Sequence, residues 1–342
     1  MTFPELAATT SQPHSAPLIA LADNLPRQQS APQSWTVSVA DAKYHWYDLI
    51  AGYPDTPDIR DPIGRYLRRM QFELDAAAEQ HHLYCVITRP RVRFDTKASV
   101  QWGFFSLKLT LPLLMGADEV RESLTIELKV PFAATIKKPT VSLTASFVTL
   151  NWGGLIETFS VHDVLRQHAH QLKMPSKVLY VGQTRDSEGR LGKGRLPLLQ
   201  KLHQQHSSHF DTLILVQKMA VEVVCSDGDP AGQPRNAHPA AAAALQRDRM
   251  DIVEAALIRY FEGAAPRHRN HEERCVRRSR LLEAQLASNL VQLTIDVQLE
   301  QMQHYRYLCS EHVASASRHL LSCDVADGDM QVSVLPLPGK KS

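Results

Sequence analysis

The chain has 342 residues, with 38 Lys and Arg against 36 Asp and Glu and a formal net charge of +2; 44% of residues are hydrophobic and 22% charged. This is the composition of a soluble globular protein, long enough for two ordinary domains, and it argues against a disordered or fibrous chain. No run of 18 apolar residues occurs and no basic stretch leads into an apolar one at the N-terminus, so neither a membrane span nor a secretory signal is expected.

Residues 1 to 34 are rich in Pro, Ser, Gln, Ala and Thr without periodicity, and are expected to be a disordered tail. From Ala40 to Gln80 the pattern turns helical. Ile63, Tyr66, Leu67, Met70, Phe72 and Leu74 place an amphipathic helix over 62–79. From His82 to Thr158 the signal is β. It comprises the apolar run Leu83–Thr88, alternation over Phe104–Leu111 and Ser123–Val130, and one or two strands in Thr140–Leu150. A β-rich, antiparallel N-terminal domain is therefore expected over 35–174. Trp102, Phe104, Phe105 and Trp152 within it suit either a core or a binding face. Ser160 is placed to cap a helix running toward Leu172, and Pro175 ends that segment.

The second expected domain covers 175–342. It opens with Lys177-Val178-Leu179-Tyr180-Val181-Gly182-Gln183-Thr184, an apolar strand ending in a turn. Strict alternation would put Val178 and Tyr180 on one side and Leu179 and Val181 on the other. Residues 182–195 follow with four glycines and with Arg185, Arg190, Lys193 and Arg195, a composition that suits an anion; no Walker lysine is present. Pro197 fits the first turn of a helix whose stripe is Leu198, Leu199 and Leu202, with Arg195 at the head of that stripe.

Leu213–Val216 reads as a second buried strand. The helix around Asp251–Phe261 carries Glu254 on the same face as Leu257, Ile258 and Phe261. A carboxylate there needs either a divalent cation or a buried Arg or Tyr partner. Six arginines crowd 267–280, a local basic patch in a nearly neutral chain. A helix over 274–288 and strands over 290–299 and 332–335 complete the reading. The overall class expected is α/β of the α+β kind, with a small mixed sheet flanked by helices in the second domain.

Taken in order, the Tyr-Val-Gly-Gln-Thr strand, the basic segment, the Arg-Leu helix, the second strand, Glu254-Ala255-Ala256-Leu257-Ile258-Arg259-Tyr260-Phe261 and the later Asn270 resemble a divergent GIY-YIG nuclease domain over about 177–270. Upstream, Gly153-Gly154-Leu155-Ile156 is the nearest candidate for the first strand of the name motif and lacks a tyrosine. The resemblance implies a metal-dependent endonuclease hydrolysing phosphodiester bonds, of DNA in the first instance, in a restriction or phage-defence setting. It implies Tyr180, Arg195 and Glu254 as catalytic residues, with Glu254 holding Mg²⁺ or Mn²⁺. Arg185, Arg190, Lys193, Asn270, Arg274 and Arg277 would be the nucleic-acid contacts.

A degenerate domain that binds nucleic acid or a protein partner without cutting is the alternative, and a purely structural protein the third. No membrane partner is expected, and self-association is left open. The five scattered cysteines, Cys85, Cys225, Cys275, Cys309 and Cys323, form no CxxC and are read as reduced thiols of a cytoplasmic protein. His203, His206 and His209 are spaced for a helix, but the third drifts off the face that the first two share, so zinc is not expected.

Overall fold

A computed structural model describes residues 31–52, 56–79, 83–168, 174–184, 196–225, 239–299, 306–326 and 329–337. In chain order the elements are β1 (Gln33–Trp46), α1 (Tyr47–Ala51), α2 (Pro62–Glu79), β2 (Leu83–Pro90), β3 (Val92–Phe94), β4 (Gln101–Trp102), β5 (Lys108–Met115), β6 (Val120–Glu127), β7 (Thr140–Leu143), β8 (Phe147–Asn151), β9 (Ile156–Ser160) and α3 (Val161–His168). There follow β10 (Ser176–Gln183), α4 (Pro197–His206), β11 (Phe210–Cys225), α5 (Pro239–Phe261), α6 (His271–Ser288), β12 (Leu290–Gln298), β13 (Leu308–Cys309), β14 (Arg318–Ala326) and β15 (Asp329–Val334). The class is α+β, as expected. The five cysteines are free, and among the described residues no helix is long and apolar enough to cross a membrane.

One mixed sheet organises the chain, in the order β13-β10-β2-β11-β1-β12-β14-β15. β2 and the first half of β11 are buried on both faces, and their apolar runs, Val86-Ile87 and Leu213-Ile214-Leu215-Val216, have the continuous pattern that such burial demands. The expected boundary at 174/175 runs through this sheet. β1 and β2 belong to the first half of the chain, yet they pair with β10, β11 and β12 from the second, and residues 31–342 form one compact unit. Antiparallel strands form between 91 and 160 as two small sheets, β3-β5-β4 with β6 and β7-β8-β9, but the strands expected at Phe104–Leu111 and Ser123–Val130 are shifted to β5 and β6, and Phe104–Ser106 lie in a turn.

Local chemistry explains most elements. In α2, Tyr66, Leu67, Met70 and Leu74 are buried, whereas Phe72 is largely exposed, because at 100° per residue it falls off their stripe. Ser160 caps α3 reciprocally. Its Oγ accepts from Asp163 N–H at 3.1 Å, and Asp163 Oδ2 accepts from Ser160 N–H at 3.1 Å. The helical pattern read from Ala40 onward is corrected. Residues 33–46 are a single strand, β1, held antiparallel to β11 and parallel to β12.

Candidate active site

β10 and β2 run antiparallel, with Gly182 opposite Tyr84 and Tyr180 opposite Val86. Leu179 is an extra residue in this ladder, so the register shifts between Val178 and Tyr180. The strict alternation expected from the sequence therefore fails. Val178 and Val181 are both buried, and Tyr180 turns into a cleft. A bulge beside a site re-aims a side chain in this way.

The cleft has a volume of about 390 Å³. Its floor is Tyr84 from β2 with Tyr180 and Gln183 from β10. One wall is Asp251 and Glu254 from α5, and the other is Asn270 with Arg277 and Arg280 from α6. The Tyr84 and Tyr180 rings lie 6.0 Å apart. Gly182 lets them approach, since a Cβ there would sit 2.8 Å from Tyr180 Cε1 and 2.9 Å from the Tyr84 hydroxyl.

α5 is buried from Met250 to Phe261 on nearly every side, so Glu254 stands among Val253, Leu257 and Ile258 with only its tip toward the cleft. Gln183 Nε2 donates to Asp251 Oδ1 at 2.6 Å and to Glu254 Oε2 at 3.0 Å. Arg277 Nη1 lies 2.6 Å from Glu254 Oε2. Of the two resolutions that a buried acid allows, an arginine partner is thus in place.

A second arginine supports the floor. Arg269 is buried, its guanidinium 4.3 Å from the Tyr180 ring centroid, with Nη1 donating to the Tyr180 hydroxyl at 3.1 Å. Its Nη2 donates to Val181 O and to Glu262 Oε1, the latter at 3.0 Å. Glu262 Oε1 also accepts from Val181 N–H at 2.8 Å. Burial pushes the Glu262 carboxyl above its ordinary range, against the pull of Arg269. Burial also raises the phenols of Tyr84 and Tyr180, and Arg269 only partly offsets this at Tyr180. Both tyrosines are therefore neutral hydrogen-bond donors at pH 7.

Of the residues expected at the site, Tyr180, Glu254, Asn270 and Arg277 line this one cleft. Asn270 acts locally as the N-cap of α6. Its Oδ1 accepts from Glu273 N–H at 2.7 Å, and Glu273 Oε2 accepts from Asn270 N–H at 3.3 Å. Arg277, read as a nucleic-acid contact, points at Glu254. Arg274 is exposed on α6 and does not line the cleft. Arg185, Arg190, Lys193 and Arg195 lie outside the described residues.

Sequence reasoning missed Tyr84, Asp251 and the Arg269–Glu262 support. Gly153 and Gly154 are a turn after β8, and the strand beside β10 is β2. The signal was present, because Leu83-Tyr84-Cys85 repeats the pattern of Leu179-Tyr180-Val181. Of the His203, His206 and His209 run, the first two lie on α4 and the third follows it. His203 pairs with Asp48 at 3.1 Å, and the Asp48 hydrogen bond raises its imidazole pKa. No group of three or more His, Cys, Asp or Glu suited to a metal occurs among the described residues.

No family model, curated protein or solved structure matches this chain.

Proposed function

We propose that this chain is a divergent nuclease of the GIY-YIG type, a metal-dependent phosphodiesterase of nucleic acid, DNA in the first instance. The observation that carries the reading is convergence. Tyr180 and Glu254, 74 positions apart in the sequence numbering, meet in one open cleft with a second tyrosine, Tyr84. The donor chemistry fits a hard divalent cation. Asp251 and Glu254 stand one helical turn apart, and an oxygen of each accepts from the Gln183 amide, so an ion held by both carboxylates would take the place of that amide and of Arg277. Mg²⁺ is commonly bound by one or two carboxylates with water, so a third protein ligand is not required. When bound there, the ion supplies Lewis-acid polarisation of the phosphoryl oxygen and stabilises the leaving group.

The protein groups have separable roles. Arg277 and Arg280 offer guanidiniums to the phosphate. A phosphate that draws Arg277 away leaves Glu254 free as a ligand. Tyr180, a phenol protonated at pH 7 with or without its burial, orients the attacking water by donating or accepting a hydrogen bond, and Arg269 fixes its hydroxyl. Tyr84, across Gly182, holds the other side of the floor. Arg195 is proposed as a further phosphate clamp.

The test is direct. Purified full-length chain with Mg²⁺ or Mn²⁺ is expected to nick plasmid DNA, with activity lost in EDTA and in Glu254→Ala. Intact plasmid, single-stranded DNA and RNA under all these conditions would reject the reading. The Arg277–Glu254 pair at 2.6 Å favours a second reading, a domain that grips nucleic acid and leaves it uncut. Salt-dependent DNA affinity without cleavage, retained in Glu254→Ala, is its signature.

A further inference from the structure

Outside the cleft, two segments run side by side. Residues 102–108 join β4 to β5, and residues 128–138 follow β6. Leu128 N–H donates to Leu107 O at 3.0 Å, and Lys138 Nζ lies 4.4 Å from the centroid of the Trp102 ring, so the segments are tied at two points. The tip they form is unusual in what it exposes. Phe105 is 97% exposed, Phe104 nearly as much and Phe132 fully, and Val130 and Ile136 of the second segment are also exposed. Phe104 and Phe105 pack only edge to face on each other, 4.4 Å between centroids.

Two further facts mark this as a built feature. Phe105 sits in the turn with φ +54°, a left-handed backbone that a bulky side chain seldom adopts and that here holds its ring out from the sheet end rather than over a core. The charge around the rings is also one-sided. Within 101–108 and 127–138 there are Lys108, Lys129, Lys137 and Lys138 against Glu127 alone. The acids Asp118, Glu119 and Glu122 are gathered at the opposite end of the β5–β6 hairpin. Lysines interleaved with exposed rings match the alternation of phosphate and base in an unpaired strand. A duplex hides its base faces by stacking them, and gives such rings nothing to cover.

We propose that the tip formed by residues 102–108 and 128–138 is a platform for single-stranded nucleic acid, on which Phe104, Phe105 and Phe132 stack unpaired bases while Lys129, Lys137 and Lys138 hold the phosphates between them. The platform gives the proposed nuclease a substrate preference for strands with unpaired bases, and in that respect rests on that reading.

The experiment is a fluorescence anisotropy titration of the full chain with a labelled oligothymidylate and with a labelled duplex, in EDTA so that binding is read without cleavage. Substituting Phe104→Ala, Phe105→Ala and Phe132→Ala together is expected to weaken single-strand affinity at least ~tenfold, since one lost base stack is worth about that much. Duplex affinity and the thermal midpoint should stay as in the parent. Substituting Lys129→Gln, Lys137→Gln and Lys138→Gln together should reduce the slope of log affinity against log salt by about 2, the value for three phosphates of a single strand.

Parent-like single-strand binding by the phenylalanine variant overturns the proposal, as does a parent protein that binds no single strand at low salt. Co-sedimentation with phosphatidylserine vesicles that the phenylalanine variant loses, with oligothymidylate affinity unchanged, would assign the tip to a membrane surface instead. Because the titration needs no turnover, the two readings fail separately. Ring-dependent binding by a chain that never cuts leaves the platform standing and removes the nuclease. Cleavage with ring-independent binding does the reverse.

Discussion

Arg277→Met separates the two jobs that Arg277 performs, since methionine retains much of the apolar stem and removes the charge. The pair with Glu254 is short, 2.6 Å, and unevenly exposed, with the arginine side chain 28% accessible and the glutamate 8%. Removing one partner of a fully buried pair costs about 3–5 kcal/mol. Water reaches Arg277, and Gln183 stays on Glu254, so about 2 kcal/mol is expected. In a chain of this size that lowers Tm by about 3 °C. Pairing Arg277→Met with Glu254→Gln should recover most of the loss, because no unpaired charge is then left buried.

The same variant exposes a carboxylate to cations. Mn²⁺ should bind it about tenfold more tightly than the parent, and saturating Mn²⁺ should raise its Tm by more. Urea denaturation, with calorimetry at several Mn²⁺ concentrations, reads both effects. A variant that melts like the parent and responds identically to Mn²⁺ would refute the view that Arg277 holds the place of a cation at Glu254.

Three other perturbations have defined outcomes. Gly182→Ala puts a methyl carbon within 3 Å of both Tyr84 and Tyr180, so turnover by the proposed nuclease is expected to fall at least ~tenfold (about 1.4 kcal/mol of barrier) while circular dichroism stays native. His45 is buried and its pKa is lowered to about 4 by burial and by the nearby cations Lys43 and Arg166. Between that value and 6.5 the unfolded chain takes up a proton that the folded chain does not, so stability falls as pH falls through this window. The loss attributable to His45 is about 3 kcal/mol from pH 7 to 4, and urea titrations of His45→Gln should show an acid limb shallower by that amount. Asn270→Ala removes the α6 capping box and is expected to cost about 1 kcal/mol in urea denaturation, with more loss of turnover than of stability, because α6 carries Arg277 and Arg280.

Local periodicity made many elements legible. The limits of α2 at 62 and 79, the buried run of β10 and the apolar face around Glu254 are each written within a few turns of chain, and so were read from the sequence. Pairing was not legible, because β1 lies against β12, roughly 250 positions later, and nothing in Gln33–Trp46 encodes that neighbour. The expected two-domain division failed for this reason. Alternation also misled at Tyr180, where one extra residue, Leu179, shifts the side chains. Tyr84 was hidden by distance. Its strand pairs with β10 across everything from β3 to α3, whereas Gly153-Gly154, nearer to Tyr180 in the chain, lie between β8 and β9. Glu254 was recognised from its apolar surroundings, but its partner could not be, since which of the arginines in 267–280 turns inward depends on how α6 lies on α5.

The detour between β2 and β10 has a further consequence. Thr88 and Lys177 are direct partners across the ladder, so the chain leaves the sheet and re-enters it at neighbouring positions. The spacing of the two phenols is then dictated by the ladder alone, and the intervening excursion can grow or shrink at little entropic cost to ring closure. Such an arrangement lets the exposed loops of the excursion be remodelled while the two phenols, set by the β2–β10 pairing, keep their separation.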